Sequence, residues 1–312
     1  MQYVQLAEEF RTYGCKAETE APMSSFTTFR IGGPASLLVT VPDAQAAKVV
    51  LMRCQQERVP FFLLGNGSNL LVSDEGVEGA VLRLPAEKPA VKIEPDGKQT
   101  RITCSAGIPL KQLCRIARDH ALSGLEFAYG RPGSVGGAVY MNAGAYEGQI
   151  SDVLTSVSSL NNSGEITERS ADSLMLGYRH SLFMKKHELI LSATFTLIHG
   201  IKDEIGARMA EYMRRRREKQ PLEYPSAGSF FKRPQGHYAG ALIERAGLKG
   251  YRIGDAQISE KHAGFVVNRG RATCAQVLEL SERVSARVLD AFGVRLEREV
   301  LCVGIGMGRK GQ

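Results

Sequence analysis

Several motifs that would assign a function directly are missing from this chain of 312 residues. Its six cysteines form no Cys-x-x-Cys pair, and no histidine stands at zinc-finger spacing, so we expect no metal site. Because Gly-Lys-Ser and Gly-Lys-Thr do not occur, a Walker phosphate-binding loop is excluded. No Ser-His-Asp spacing supports a hydrolase. We expect the cysteines to be reduced and mostly buried.

Long apolar runs are also absent. The N-terminal stretch MQYVQLAEEF is polar and helix-like rather than a signal peptide, and no apolar run approaches the ~18 residues that cross a bilayer. With 43% hydrophobic and 23% charged residues, the composition is typical of a globular chain. We therefore expect a cytoplasmic protein that has no membrane partner, and we expect a monomer.

The formal charge of +7 is compatible with a nucleic acid, an anionic membrane or an acidic small molecule as partner. Its arginines are scattered apart from one run, Arg214 to Arg217. Because the charge is not concentrated, we expect no nucleic-acid partner. The run itself is explained equally well as the solvated end of a helix or as a region that steers phosphate groups.

Hydrophobic periodicity divides the chain into three units of mixed helix and strand, 1–85, 86–200 and 201–312. The first contains a βαββ arrangement, with its helix in AQAAKVVLMRCQQERVP. The second is rich in strands, and an amphipathic helix over 109–122 begins at a proline. The third contains two long helices and ends in a predicted strand, VRLEREVLCVGIG. No internal repeat is visible.

A first glycine-rich segment, LLGNGSNLL at 63–71, follows an apolar strand as a dinucleotide-binding fingerprint would. Leu70 stands where that fingerprint has its third glycine, and a strand rather than a helix follows, so a Rossmann fold is not expected. A tight turn with exposed backbone N–H groups could bind an anion. An ordinary Gly/Asn turn is the alternative.

A second segment, GRPGSVGGAVYMNAGAY at 130–146, places five glycines around one charged side chain, Arg131. This composition predicts a long backbone surface pressed flat against a large ligand, with the glycines making room for that ligand rather than for a helix. Two such segments on separate units would enclose an extended anionic ligand. Close packing of strands is the alternative.

Eight motifs, in their order and spacing, resemble the UDP-N-acetylenolpyruvoylglucosamine reductase family, and the resemblance covers nearly the whole chain. They are FRIGGPA, LGNGSNLLV, AGIPL, GRPGSVGGAVYMNAGAY, YRHSLF, PSAGSFFKRP, GLKGYRIGDAQISEKHAGFVVN and LEREV. The connection from YRHSLF to PSAGS, which lacks an inserted tyrosine loop, is similar to the type II branch. The resemblance implies an α+β fold, in which the first two units form a two-lobed FAD-binding domain of the vanillyl-alcohol-oxidase type. The third unit would bind a UDP-sugar.

The resemblance also implies a reaction of peptidoglycan precursor synthesis. NADPH would reduce a non-covalently bound FAD, which would pass the hydride to UDP-N-acetylglucosamine enolpyruvate and give UDP-N-acetylmuramate. Hydride delivery to C3 of the enolpyruvyl ether puts negative charge on C2 and its carboxylate. Such a site needs cations or acids that stabilise this charge, and a proton donor for C2.

Three catalytic residues are implied by the resemblance. Ser229 would donate the proton, a turn-forming serine being the alternative, and Arg179 would bind the carboxylate, a solvated or paired arginine being the alternative. Glu299 lies in the predicted last strand on the face of Leu301, where apolar neighbours could keep its carboxyl neutral. Glu297 shares that face and competes for the role, and an ion pair with an arginine is the alternative for Glu299.

Binding residues are likewise implied by the resemblance. Those expected to contact FAD are Arg30, Gly65, Asn66, Gly67, Ser68, Asn69, Leu70, Ala106, Gly130, Pro132, Gly133, Ser134, Gly136, Gly137, Asn142, Gly144, Ala145 and Tyr146. Those expected to contact the substrate are Tyr178, Lys219, Arg233, Gln257 and His262. Arg131 and Arg233 depart from the family's usual residues, apolar and asparagine respectively, which leaves their contacts open.

Two other functions remain as alternatives. One is an FAD oxidase of the same fold that acts on a small alcohol or sugar. The other is a non-catalytic protein, either a flavin-loaded regulator or one that uses its basic face on nucleic acid.

Overall fold

The protein is described from a computed structural model that covers residues 1–86, 90–304 and 306. Its helices are α1 (Gln2–Thr12), α2 (Ala44–Gln56), α3 (Leu110–Asp119), α4 (Val135–Tyr140), α5 (Phe183–Lys186), α6 (Lys202–Lys219), α7 (Ala239–Arg245) and α8 (Cys274–Phe292). Its strands are β1 (Lys16–Pro22), β2 (Pro34–Thr40), β3 (Phe61–Leu64), β4 (Leu70–Val72), β5 (Val77–Arg83), β6 (Val91–Asp96), β7 (Gln99–Ser105), β8 (Leu122–Ser123), β9 (Gly144–Ala145), β10 (Gly148–Gln149), β11 (Leu154–Leu160), β12 (Ile166–Ser170), β13 (Leu189–His199), β14 (Ser226–Ser229), β15 (Arg252–Ile253), β16 (Ala256–Ile258), β17 (Phe265–Asn268) and β18 (Leu301–Val303).

The first sheet has the order β1-β2-β5-β3, in which β2, β5 and β3 run parallel. Helix α2 connects β2 to β3 and begins at Asp43, whose side chain accepts a hydrogen bond from Ala46 N at 2.8 Å. The predicted helix in this unit is confirmed. Strand β1, which pairs antiparallel with β2, is not in the sequence-based prediction, because it buries only Ala17 and Ala21 and shows no apolar alternation.

The second sheet has the order β12-β11-β13-β7-β6, and its neighbouring strands are antiparallel. A hairpin turn at Asp96-Gly97 joins β6 to β7, and Gly97 has φ +62°. Helix α3 follows Pro109 and packs its apolar face, including Leu110 and Leu113, into the core over this sheet. The predicted amphipathic helix is therefore present.

The third sheet has the order β14-β17-β16-β15 and packs with α7 and α8 around a separate core. Helix α8 begins with a capping box, in which Thr273 and Gln276 each bond the other's backbone N–H, and it ends at Gly293 with φ +68°. It is one of the two long helices predicted for the third unit.

Two elements cross the predicted unit boundaries, which stay predictions. Helix α6 lies in the third predicted unit, yet its Ile205 and Met209 pack into the core over the second sheet. Strand β18, near the end of the chain, pairs parallel with β4 of the first unit. The last strand is also shorter than predicted, because β18 begins only at Leu301, so Glu299 lies before it.

Across the described ranges, no helix combines the length and apolarity needed to span a bilayer. The six cysteines, all within those ranges, are free thiols, and five of them are buried. Burial raises the pKa of the Cys54 thiol to about 12. Such thiols are unreactive core residues.

Candidate active site

A cleft of about 1970 Å³ is lined by residues of β3, β14 and the start of β13, and thus by all three sheets. Both glycine-rich segments line it, together with residues of α6 and of the stretch before β18. Small-molecule sites typically measure about 300–1,000 Å³. The cleft therefore has room for a large cofactor and a substrate side by side.

The two glycine-rich segments contact each other in the cleft. Asn66 Nδ2 donates a hydrogen bond to Pro132 O at 3.0 Å. A Cβ atom on Gly65 would lie 2.7 Å from Ser134 Oγ, and one on Gly133 would lie 3.6 Å from Ser68 Oγ. Because side chains are missing at these positions, the segments together present bare backbone, which fits an extended ligand that binds through N–H groups.

The glycines of 130–146 are predicted to make room for a ligand rather than for a helix, yet Gly136 and Gly137 lie in a helix. Helix α4 lies inside this segment and begins at Ser134, whose Oγ accepts a hydrogen bond from Gly137 N at 3.2 Å. Gly136 lies within this helix, and a Cβ there would meet Ala106 Cβ at 2.9 Å. Close packing, the alternative weighed from the sequence, therefore explains Gly136. After the first segment a strand, β4, follows, which agrees with the exclusion of a Rossmann fold.

Arg179 and Glu299 form an ion pair at one end of the cleft. Arg179 Nε lies 2.8 Å from Glu299 Oε1, and 17% and 14% of their side chains are exposed. Arg179 Nη2 also donates to Gly144 O at 3.3 Å. The Arg179 backbone has φ +52°, which is unfavourable for a residue with a Cβ and is found at sites where the surroundings impose it.

Backbone contacts fix the position of Glu299. Its N–H donates to Phe230 O at 2.9 Å, and its carbonyl accepts from Asn69 Nδ2 of the first glycine-rich segment at 3.1 Å. The partner of Glu299 is therefore an arginine, which is the alternative stated in the sequence analysis. The prediction that Glu299 lies on the Leu301 face of the last strand is wrong, because that strand begins only at Leu301. The competing Glu297 is exposed and lies 3.3 Å from Lys232 Nζ.

Ser229 ends β14 and is exposed toward the same cleft. The pairing between β14 and β17 is irregular between Ser226 and Ser229, and Gly228 has φ +80°. Such an irregularity redirects a side chain out of the strand. The Ser229 hydroxyl forms no hydrogen bond with any described part of the chain, so it is available to a ligand.

Arg131 and Arg216 lie near this end of the cleft. Arg131 Nη2 donates to Gly144 O, while its Nε is buried and has no partner among the described residues. Arg216 Nε donates to Gln220 Oε1 at 3.1 Å, while its Nη1 is buried and equally unpartnered there. Burial, together with the charges of Arg179 and Arg216, lowers the pKa of Arg131 to about 10.

The arginine run therefore has two parts. Arg214 and Arg215 are exposed and form ion pairs with Glu211, at 2.8 and 2.7 Å. Arg216, between them and Arg217, is partly buried and lines the cleft. The solvated-helix interpretation fits the first two, whereas Arg216 points to a ligand.

Many residues expected at the site line this cleft: Arg30, Gly65, Asn66, Gly67, Ser68, Asn69, Leu70, Ala106, Gly130, Pro132, Gly133, Ser134, Gly136, Gly137, Ala145, Tyr146, Arg179, Ser229, Arg233 and Glu299. Others lie outside its lining: Asn142, Gly144, Tyr178, Lys219, Gln257 and His262. Gly144 still reaches the site through its carbonyl, which accepts hydrogen bonds from Arg131 and Arg179.

The residues outside the lining have other contacts. Asn142 is buried, with Nδ2 donating to Gly177 O at 3.1 Å, and so holds the second segment near Arg179. Tyr178 Oη accepts from Arg233 N at 3.3 Å. His262 Nδ1 accepts from Gly264 N at 3.1 Å, and burial lowers its pKa. Their predicted roles as ligand contacts stay predictions.

Gln257 lines a smaller, adjoining pocket together with Lys261 and with Tyr224, which also lines the cleft. Lys219 is exposed at the end of α6. In the part of the chain that the structure describes, no group of three or more His, Cys, Asp or Glu side chains could hold a metal ion.

Comparison with known proteins gives two family matches. Residues 35–170 match an FAD binding domain, and residues 220–303 match the C-terminal domain of UDP-N-acetylenolpyruvoylglucosamine reductase. The predicted α+β fold class, with an FAD-binding domain followed by a smaller C-terminal domain, is confirmed.

Individual relatives agree with these matches. The chain is 46% identical over 285 residues to the UDP-N-acetylenolpyruvoylglucosamine reductase of Clostridium botulinum, which covers 91% of this chain and 92% of that relative. It is 46% identical over 282 residues to the enzyme of the same name from Clostridium novyi, at 90% coverage of each. The crystal structure of the reductase from Thermus caldophilus superimposes with a TM-score of 0.78 and 37% identity, over 93% of this chain and 99% of that one.

Proposed function

Because the chain belongs to the UDP-N-acetylenolpyruvoylglucosamine reductase family, a family of flavoprotein oxidoreductases of peptidoglycan synthesis, we propose that it reduces UDP-N-acetylglucosamine enolpyruvate to UDP-N-acetylmuramate. FAD would be its non-covalent cofactor and NADPH its reductant. One observation carries the proposal: the Arg179–Glu299 pair and the free Ser229 hydroxyl line the same cleft as both glycine-rich segments.

The glycine-rich segments would hold FAD. Gly65 and Gly133 leave backbone uncovered where the two segments meet, and the cleft is larger than one small-molecule pocket. These features fit a long dinucleotide with a pyrophosphate group. When bound, FAD would supply the transfer of a hydride from NADPH to C3 of the enolpyruvyl group.

Arg179 would bind the substrate carboxylate. Its Nε is engaged by Glu299 and its Nη2 by a backbone carbonyl, so the guanidinium is held in one orientation before the ligand arrives. A fixed cation beside the carboxylate stabilises the negative charge that develops there during reduction. Glu299 would orient Arg179 through its ionised carboxylate, which would have to gain a proton before it acted as an acid toward that charge.

Ser229 would protonate C2 after hydride addition at C3, which completes the reduction of the double bond. Its exposure to the cleft and its lack of hydrogen bonds within the described chain support this role. A serine hydroxyl is a weak acid, so a water molecule or a cation must assist the transfer.

The decisive experiment follows the colour of the flavin. Protein purified yellow, bleached by NADPH without air and recoloured only when the enolpyruvyl UDP-sugar is added, is the expected result. A colourless protein that takes up no FAD would overturn the proposal. Rapid recovery of colour from oxygen alone would indicate an oxidase, and no bleaching by NADPH would overturn the choice of reductant.

A further inference from the structure

We propose that Arg131 and Arg216 form an anion-binding subsite at the end of the cleft where Arg179 and Glu299 meet, and that the subsite holds a planar anionic oxygen group of a bound ligand. The identity of that ligand rests on the proposed function. The existence of the subsite rests on the geometry of the arginines alone.

Unsatisfied hydrogen-bond donors give the first argument. Arg131 Nε and Arg216 Nη1 are both buried and without a partner in the described residues, and both side chains line the cleft. Leaving a buried N–H group unbonded costs free energy, so such groups in native proteins generally have a partner that is a protein atom, a water or a ligand. Acceptor oxygens of a ligand in the cleft would satisfy these donors.

Charge gives the second argument. Burial and the charges of Arg179 and Arg216 lower the pKa of Arg131, while the carboxylate of Glu299 raises it. Arg179 forms an ion pair with Glu299, whereas neither Arg131 nor Arg216 forms one within the described residues. Partly buried cations without counter-charges are unfavourable, and an anionic ligand group offsets this cost.

The backbone holds the arginines in place. Arg131 and Arg179 both donate to the carbonyl of Gly144, so the two guanidinium groups lie close together. A Cβ on Gly130 would lie 3.7 Å from Arg216 Nη1, which puts Arg216 beside the residue before Arg131. If the only role of Arg131 were to bind the Gly144 carbonyl, its Nη2 would have a partner, but the buried Arg131 Nε and Arg216 Nη1 would still have none.

Two groups of the proposed reaction have the required chemistry. One is the carboxylate of the enolpyruvyl substrate, and the other is the flavin ring in its anionic reduced form. In both, negative charge is delocalised over a planar group, which a guanidinium matches with parallel N–H donors. The test distinguishes the two sources.

The test compares FAD-loaded Arg131→Gln, Arg216→Gln and Arg131→Lys with the wild type. Arg214→Gln is the matched control, since Arg214 is exposed on the same helix as Arg216 and is paired with Glu211. One arm titrates the enolpyruvyl UDP-sugar and UDP-N-acetylglucosamine, which lacks the carboxylate, and follows the flavin spectrum. The other arm measures the reduction potential of the bound flavin with chemical reductants and indicator dyes.

If the substrate occupies the subsite, Arg131→Gln and Arg216→Gln weaken binding of the enolpyruvyl sugar about tenfold and leave UDP-N-acetylglucosamine unchanged. If the reduced flavin occupies it, the same variants lower the potential by about 30 mV, a tenfold change for a two-electron couple. Either result supports the subsite. Arg131→Lys, which keeps the charge, then recovers part of the effect.

The subsite is overturned if both glutamine variants match Arg214→Gln in both arms. It is also overturned if Arg131→Lys is as impaired as Arg131→Gln, since the role is then support of the loop. If either Arg131→Gln or Arg216→Gln fails to fold, the remaining variant is compared with Arg214→Gln in the same two arms and still tests the subsite. A wild type that NADPH cannot reduce would contradict the proposed function, while the potential arm, which needs no NADPH, would still test the subsite.

Discussion

Two arginine–glutamate pairs in this molecule have similar burial and different surroundings. Arg169 and Glu188 approach to 2.6 Å, with 19% and 4% of their side chains exposed. Arg179 and Glu299 approach to 2.8 Å, with 17% and 14% exposed. Chemical identity and burial therefore do not distinguish the pair that includes strand β12 from the pair proposed to act on a substrate.

The remaining donors do separate them. Arg169 contacts both carboxylate oxygens of Glu188, and its Nη1 also donates to Ser159 Oγ at 2.8 Å. It lies in the regular strand β12, and its partner Glu188 stands directly before β13 and lines another part of the cleft. Arg179 contacts one oxygen of Glu299 and lies in a left-handed backbone conformation at the cleft. Both carboxylate oxygens of the first pair bind its arginine, whereas Glu299 Oε2 and Arg179 Nη1 have no hydrogen bond among the described residues.

The largest expected effect lies at the cleft end that carries the second pair. Ser229→Ala removes the proposed proton donor, so reduction of the enolpyruvyl sugar should slow by about 10²–10⁴-fold. Flavin bleaching by NADPH should remain near normal, because that half-reaction does not use the proton. Stopped-flow measurement of each half-reaction checks this. Equal slowing of both halves would contradict the assigned role of Ser229.

Arg169→Met should destabilise the protein. The change leaves the Glu188 carboxylate buried without its cation, a situation that costs about 3–5 kcal/mol of the free energy of unfolding. Urea unfolding of the flavin-loaded protein measures this cost. Folded Arg169→Met should still reduce the sugar at a rate near that of the wild type. If Arg169→Met were stable but inactive, the Arg169–Glu188 pair would serve the reaction rather than stability, contrary to this prediction.

Arg179→Met should have the opposite pattern. Losing one fixed donor to a developing negative charge lowers the rate by about 10²–10³-fold. Stability should fall less than in Arg169→Met, because Arg179 contacts only one oxygen of Glu299, whereas Arg169 contacts both oxygens of Glu188. The rate of sugar reduction and the urea unfolding curve are both measured on Arg179→Met, under the conditions used for Arg169→Met. If Arg179→Met lost as much stability as Arg169→Met, the two pairs would not differ in their contribution to stability.

The smallest effect concerns a third pair, Glu126 with Arg208. Burial raises the pKa of Glu126, but hydrogen bonds from Arg208, Gly124 N and Ser123 outweigh it, so this pKa is lowered. A lowered folded-state pKa contributes stability above the unfolded value of about 4.3, and this stability is lost as the pH falls through the folded pKa.

Glu126→Gln should therefore weaken the acid dependence of unfolding by less than about 1 kcal/mol, since Arg208 is 44% exposed and solvent screens the pair. Urea unfolding at several pH values below neutrality measures the change. Glu204→Gln is the control, because Glu204 lies 3.9 Å from the same arginine and is 62% exposed. An unchanged pH dependence in Glu126→Gln would show that this pair contributes no pH-dependent stability.

Elements with strong local signals were predictable from the sequence. Helix α8 carries its capping box at Thr273 and its terminating glycine at Gly293, and its apolar residues recur at helical spacing. The turn at Asp96-Gly97 is equally local. Elements with weak local signals were missed: β1 turns only alanines inward, and α4 contains two glycines that lower helix propensity. There a neighbouring strand and a serine cap decide the structure.

The candidate site divides in the same way. The glycine-rich segments and the Ser229 and Arg179 motifs are visible along the chain, because glycine positions and turn residues constrain the backbone where they stand. The partner of Glu299, 120 residues away, is not visible there, nor is the inward direction of Arg216 within a run of exposed arginines. The sharing of the Gly144 carbonyl by Arg131 and Arg179 is equally hidden. Backbone preferences act over a few residues and can be read from the sequence, whereas side-chain partners and unpaired buried charges arise only when distant elements pack together.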